Sequence, residues 1–325
     1  MISNIERGIG MRKLSILVST LFLSLIILAG CGAKTTKVDQ INISYVKSPL
    51  NVPSIIEKKK NLFETEFGKD NTKIVYSDIT AGPKMTEAMA AGSLDFANAL
   101  GGSSAILAAS NGVDLKIIGI YSRAPKSFTI MSKNPNIKTA ADLKEKKVVG
   151  PKGTILHQLL LAAAEKANIK AEDINFINMD IAPGVAAMLA GSADAALVAG
   201  PSVSQAEKNG AHVVTTGEGL LDATIVIAVR GDFLKNHEDL VKRYMKVHQA
   251  SLDFMKNNLD ETYKLTAEET KLTVDDVKAM YSLYDFNPTV TDKDITELEK
   301  TQDFLIKNNM MTKKVDIKSL IKTVN

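Results

Sequence analysis

The stretch AMAAGSLDFANALGGS at residues 88–103 recurs 99 residues later as AMLAGSADAALVAGPS at residues 187–202. Nine of the sixteen aligned positions are identical, among them Ala91-Gly92-Ser93 with Asp95 and Ala190-Gly191-Ser192 with Asp194. Each copy reads as the end of an apolar helix, an Ala-Gly-Ser turn, an aspartate, an apolar strand and a glycine-containing loop. Two copies at this spacing predict two similar lobes, each offering the same kind of loop to something between them.

Working outward, Ile41, Ile43 and Tyr45 alternate with polar residues and predict a first strand. A helix over residues 53–60 follows, closed at Asn61, a residue that tolerates the left-handed C-cap. Residues 74–76 predict a second strand, and Pro83 opens a helix carrying Met85, Ala88 and Met89 on one face. After the first copy come a helix at 104–109 and a strand at 115–120. This βαβα alternation predicts a mostly parallel sheet covered on both faces. Residues 127–132 predict a strand that crosses to the second lobe. A short helix at 138–144, a strand at 147–150 and a helix with Leu156, Leu159, Leu160 and Ala163 on one face then repeat the rhythm. Strands at 174–178 and 212–215 complete that lobe, and residues 224–229 predict the return crossover. From residue 231 the chain is helical, with Leu240, Val241, Tyr244, Val247, Ser251 and Met255 at helical spacing, completing the first lobe. The expected class is α/β with two lobes, residues 41–130 with 229–325 and residues 131–228, hinged near 127–132 and 224–229.

The 325 residues carry 40 basic and 37 acidic side chains, a formal net charge of +3, which offers nucleic acid no concentrated basic surface. Arg12 and Lys13 precede an apolar run over residues 14–28 that ends Leu28-Ala29-Gly30-Cys31. That run is too short for a confident spanning helix and reads as an export signal, residues 1–30, with translation starting at Met1 or Met11. The pattern resembles the bacterial lipoprotein signal, which implies lipidation of Cys31. With one cysteine in the chain, no intrachain disulfide can form. Residues 31–40 read as a tether.

Binding loops of open parallel sheets lie beyond the carboxyl ends of the strands. Here that rule selects Ser48, Pro49 and Leu50, then Ala81, Gly82 and Pro83, then Gly101, Gly102, Ser103 and Ser104 in the first lobe. In the second it selects Lys152, Gly153 and Thr154, residues 180–184, and Gly200, Pro201 and Ser202. Glycine, serine and threonine loops that open helices offer N–H groups and hydroxyls to a small anion. Arg123, Lys126 and Lys152 lie near these loops. The four histidines have no metal-site spacing, and no phosphate loop, nucleophile elbow or dinucleotide fingerprint follows a strand, so neither metal nor cofactor is expected. His157, one turn into its helix, is a candidate ligand contact. Asp95 and Asp194 fall at strand starts, away from the loops, and turn and helix-capping roles are expected for them.

Residues Asn61-Leu62-Phe63, the run 87–96, and Ala141-Asp142-Leu143-Lys144 followed by Lys152-Gly153-Thr154 resemble the nitrate, aliphatic sulfonate and taurine class of ABC-transporter substrate-binding proteins. The similarity runs from about residue 41 to beyond 229. It implies a type II periplasmic-binding-protein-like fold, two α/β lobes joined by two crossover strands that close on a small ligand. It also implies an exported, lipid-anchored monomer on the outer face of the bacterial cell membrane that delivers its solute to a permease and ATPase. The ligand loops implied are those at Ser48–Leu50, Gly82-Pro83, Gly101–Ser104, Gly153-Thr154 and Gly200-Pro201. Many members carry Trp or Asp just before the proline matching Pro201; this chain has Ala199-Gly200 and no tryptophan, which argues against taurine and aromatic pyrimidines. The expected ligand is a small anion such as a sulfonate or nitrate. Two alternatives remain open: a neutral heterocycle held by Tyr45, Tyr121 or Phe128, and a surface enzyme using Ser103 or Ser104 with His157.

Overall fold

The computed structural model describes residues 37–47 and 50–324. The expected signal, Cys31, most of the tether, and Ser48 and Pro49 lie outside the described residues. Among the described residues, ten strands form in chain order: β1 (Gln40–Tyr45), β2 (Lys73–Asp78), β3 (Phe96–Gly101), β4 (Leu115–Arg123), β5 (Phe128–Ser132), β6 (Lys147–Gly150), β7 (Asn175–Asn178), β8 (Ala195–Ala199), β9 (His212–Thr216) and β10 (Thr224–Arg230). They pair into two five-stranded sheets of orders β2-β1-β3-β10-β4 and β7-β6-β8-β5-β9. In each sheet a single strand, β10 or β5, runs antiparallel to both of its neighbours, and the paired β1, β2 and β3, like β6, β7 and β8, are parallel. Helices cover both faces, so β8, with every residue buried, reads as an uninterrupted apolar run.

The sequence repeat is a repeat of hydrogen bonds. Gly92 and Gly191 end their helices at φ +72° and +75°, a conformation that costs glycine little. Ser93 N–H donates to Ala88 O at 2.9 Å and Ser192 N–H to Ala187 O at 3.0 Å, and both serine hydroxyls donate to the same carbonyls. The aspartates then tie strand to strand. Asp95 N–H donates to Asn42 O while its carboxylate accepts Asn42 N–H at 2.8 Å; Asp194 N–H donates to Lys147 O while its carboxylate accepts Lys147 N–H at 2.8 Å. This corrects the expected helix-capping role: both carboxylates extend the ladder between the first and third parallel strands of their sheets.

Sheet membership also moves the crossing points. Residues 128–132 belong wholly to the second sheet as β5, and residues 224–230 wholly to the first as β10. The chain therefore passes between lobes at residues 124–127 and 217–223. These two links hold each other: Gly217 N–H donates to Pro125 O at 3.0 Å, and Lys126 pairs with Glu218 at 3.0 Å.

After β10 the helix Glu238–Asn257 buries its predicted face on the first lobe, where the Tyr244 ring stacks on Phe96 with centroids 3.8 Å apart and on Phe63 at 4.5 Å. The C-terminal helices do more than complete that lobe. Asp276, in Val274–Tyr281, pairs with Lys208 of the second lobe at 2.9 Å; Lys307, ending Asp292–Lys307, pairs with Glu165 at 2.5 Å. Arg123, an expected anion partner, is spent on structure: it donates to both carboxylate oxygens of Asp294, at 2.6 and 2.7 Å, and to Asp285 at 3.0 Å.

Candidate functional site

Two expected loops are in fact first turns of helices. The helix after β3 begins at Gly102 and spans Gly102–Ser110, and the helix after β7 begins at Ile181 and spans Ile181–Leu189. Those two join Gly82–Ala90, Ile155–Lys166 and Pro201–Lys208, the last with Pro201 at its first position. All five start at the carboxyl ends of parallel strands, and none has a side chain bonded to its N-terminal N–H groups. By contrast Thr273, Thr291 and Asp316 cap three C-terminal helices with their side chains.

A cavity of about 390 Å³ lies where these helix starts meet between the sheets. Its polar wall contains the residues preceding four of the helices, Ala81, Gly101, Thr154 and Asp180, together with Thr80, Ser104 and Ser202. Its apolar wall contains Phe128, Pro151, Ile155, Leu156, Ile181, Pro183 and Ile225. Among the described residues, no lysine or arginine lines it. The lining carboxylate, Asp180, is partnered across the lobes by Lys84 at 3.1 Å. Unfilled helix N-termini carry partial positive charge and free N–H donors, so this arrangement can take an anionic group without a side-chain cation, while the opposite wall takes hydrocarbon.

Of the residues expected from sequence, Gly82, Gly101, Ser104 and Thr154 line this cavity. Pro83, Gly153 and His157 line a neighbouring interlobe cavity of about 750 Å³, and Gly102 and Ser103 a small one of about 150 Å³ near the crossing links. Leu50 is fully buried, its N–H donating to the Tyr284 hydroxyl at 3.0 Å. Gly200 and Pro201 are buried beneath Ser202, which is the member of that loop lining the cavity. Ser104 Oγ donates to Gly153 O at 2.8 Å, a direct bond from lobe to lobe.

The enzyme alternative requires Ser103 or Ser104 bonded to His157, and neither serine makes that bond. Ser104 is engaged with Gly153; Ser103 Oγ is buried without a partner. His157 Nδ1 accepts from Gly153 N–H at a long 3.5 Å, its ring stacks on Phe176 at 4.5 Å, and burial, with Lys152 nearby, pulls its pKa down to about 4. The heterocycle alternative expected Tyr45, Tyr121 and Phe128 in the cleft. Only Phe128 is there, because Tyr121 is buried against Ser54 at 2.9 Å and Tyr45 packs edge-on to Tyr76. Among the described residues, no group of three or more histidine, cysteine or carboxylate side chains is placed to hold a metal ion.

Of the apolar wall, sequence reasoning named only Phe128, as an aromatic candidate for a heterocycle, and missed the rest. Ile225 lies in an antiparallel strand, where a buried apolar run carries no sign of which residue will face a cleft. The Ala-Asp-Leu-Lys segment, the most distinctive part of the family resemblance, proves to be a capping box: Asp142 accepts the N–H groups of Lys138 and Thr139, and these bonds hold its carboxyl below the usual range.

A family model described as NMT1/THI5 like matches residues 73–262. A Bacillus subtilis (strain 168) protein named for binding aliphatic sulfonates is 29% identical over 317 residues, covering 95% of this chain and 94% of that one. The alkanesulfonate-binding protein SsuA from Xanthomonas axonopodis pv. citri, solved bound to MOPS, superimposes with a TM-score of 0.81 at 23% identity, over 88% of this chain and 99% of that one. The periplasmic aliphatic sulphonate binding protein SsuA from Escherichia coli gives 0.75 at 25% identity, over 88% and 93%. The two-lobe architecture is that of periplasmic binding proteins.

Proposed function

The chain belongs to the NMT1/THI5-like family, and from that premise we propose that it is the solute-binding component of an ABC importer, closing its lobes on an organic sulfonate. The observation that carries this reading is the convergence of five helix N-termini, bare of side-chain caps, on a cavity with one polar and one apolar wall. Three sulfonate oxygens are served by N–H groups and by the hydroxyls of Thr80 and Ser202, the Ser104 and Thr154 hydroxyls being donated to Gly153 O and Pro151 O, and the carbon chain is served by Phe128, Ile155 and Ile225. A free inorganic anion would leave that apolar wall uncovered. Taurine is disfavoured because its ammonium group would have to compete with Lys84 for Asp180. Support also comes from the names of the relatives above.

The same reading assigns residues 1–30 to export and Cys31 to a lipid anchor on the outer face of the bacterial cell membrane, with delivery to a permease and its ATPase. Its support is the order of Arg12, Lys13, the apolar run and the Leu-Ala-Gly-Cys ending. Loss of labelled-palmitate incorporation in Cys31→Ser tests the anchor.

Purified protein titrated with ethanesulfonate, taurine, nitrate, a sulfate ester and a pyrimidine tests the ligand class. A ligand at a hundred times its Kd stabilises by about 2.7 kcal/mol, so ethanesulfonate is expected to raise Tm measurably. A rise with the pyrimidine alone, or with none of the five, overturns the assignment.

A further inference from the structure

β3 and β8 hold the same place, third, in their sheets, and the sequence repeat makes each a control for the other. They differ along the antiparallel neighbour. Ala97 lies opposite Ala228 and Leu100 opposite Val226, so Asn98 and Ala99 together face the single Ile227 of β10. β8 pairs with β5 residue for residue from Ala196 to Ala199. The two-against-one arrangement is a β-bulge, a device that re-aims side chains and recurs beside functional sites. Here it brings Ala99, at φ +61°, and Gly101 to the wall of the solute cavity. Alanine is strained in that left-handed conformation, so something has to hold it there.

The residue that matches Asn98 in the second copy is Leu197, a buried hydrocarbon in a strand without a bulge. Asn98 is instead tied from three elements. Its Nδ2 donates to Ser54 Oγ and to Glu57 Oε2, both at 3.0 Å, on the helix Val52–Lys59. Its carbonyl, part of the peptide plane that leads into Ala99, accepts from Ser44 Oγ of β1 at 2.9 Å. Glu57 is fixed in turn from the helix Glu238–Asn257: His248 Nδ1 donates to its Oε1 at 2.7 Å, and Ser251 Oγ to the same oxygen at 3.3 Å. All six side chains are buried. A carboxylate only accepts, so the Asn98 amide nitrogen must face Glu57, which leaves Asn98 Oδ1 buried without a partner; His248 Nε2 is buried without one too. A buried network left partly unsatisfied is less favourable than the apolar packing that Leu197 represents, and such costs concentrate where function needs a particular geometry.

We infer that Asn98 is a positioning residue of the solute cavity: anchored by Ser44, Ser54 and Glu57, with His248 behind, it holds the β3 bulge and so keeps Ala99 and the bare N-terminus of the helix Gly102–Ser110 aimed at the ligand. The inference rests on this cavity being the solute site. It does not depend on which solute is bound.

Titration calorimetry with ethanesulfonate on the full chain, together with urea unfolding in the absence of ligand, is the test. Asn98→Ala frees Ala99 to leave the left-handed conformation, which binding must then restore, and affinity is expected to fall about five- to thirtyfold. Adding Ala99→Gly, which takes positive φ without strain, is expected to return affinity to within about threefold of the unmodified chain. Plain packing damage would not be repaired by that second change. Should Asn98→Ala fail to fold, Ser44→Ala removes a single bond and little volume; it is expected to weaken binding about threefold and to be repaired in the same way. In urea, Ala99→Gly is expected to raise the folding constant of the unmodified chain, by less than about fivefold, and to give no gain beside Asn98→Ala. Unchanged affinity in Asn98→Ala, a loss that Ala99→Gly does not recover, or an equal gain in urea in both backgrounds each overturns the inference. If the unmodified chain binds no solute, the sulfonate reading falls, and the urea comparison by itself decides whether Asn98 holds the bulge.

Discussion

The two copies of the repeat agree where they build the sheets and part where they meet the ligand cavity. In the first lobe the residue at positive φ after the third parallel strand begins is Ala99, at +61°, and Gly101 keeps an ordinary −63°. In the second lobe the positive φ, also +61°, falls on Gly200, and Pro201 starts the helix where Gly102 does in the first. The pairing follows suit: β3 slips register against β10 between Val226 and Ala228, whereas β8 pairs with β5 without a break. The kink turns Ala99 and Gly101 into the cavity; the regular strand contributes Ala199 and, past the turn, Ser202. Shared hydrogen bonds at Asp95 and Asp194 are scaffold, and the site lies where the two backbones differ, even at identical residues such as Gly101 and Gly200.

Breaking each copy separately should show how far that equivalence goes. Asp95 is buried and also pairs with Arg230 at 3.2 Å, while Asp194 is half-buried and, among the described residues, no arginine pairs with it. Asp95→Ala is expected to cost about 4 kcal/mol and Asp194→Ala about 1 kcal/mol in urea unfolding. Equal costs would mean the arginine contributes nothing.

The second comparison concerns the histidine on the wall of the larger cavity. With its folded pKa at about 4, below an unfolded value of about 6.5, the unfolded chain takes up the proton first. The stabilising effect is whole above about pH 6.5 and is lost as pH falls towards 4, about 3 kcal/mol over that window. His157→Gln should flatten this part of the stability–pH curve.

At the cavity itself, a Cβ on Gly101 would meet Ile155 of the facing lobe at 3.2 Å. Gly101→Phe is expected to prop the lobes apart and weaken sulfonate binding at least a hundredfold by calorimetry, with the urea midpoint little changed. The turn residues act through backbone conformation alone. Gly200→Ala should destabilise by about 2 kcal/mol because its φ of +61° strains an L side chain, while Ala99→Gly should stabilise by less than about 1 kcal/mol.

Much of the fold was legible because it is written in local patterns. The alternation at Ile41, Ile43 and Tyr45 and the helical spacing from Leu240 to Met255 both place those side chains in the core. Asn61 does adopt the left-handed conformation at φ +51°. The site was legible only in part. Loops rich in glycine and serine marked where Gly82, Gly101, Ser104 and Thr154 would be, yet Lys84 and Asp180 are 96 residues apart and nothing local pairs them. The sheet membership of residues 128–132 and 224–230 was not legible for a related reason: a strand that leaves one lobe carries no local mark of the sheet whose hydrogen bonds it will join.

The sequence by itself determined the duplicated plan, the order of strands and helices, and the turns that glycine and aspartate impose, since each depends on residues within a few positions of one another. Tertiary structure alone decided that five helix starts share one cavity, that its far wall is apolar, and that a second chamber adjoins it at Ser104. Those features exist only between lobes, where the register of β3 against β10 and the contact of Ser104 with Gly153 bring together surfaces that no stretch of the chain contains.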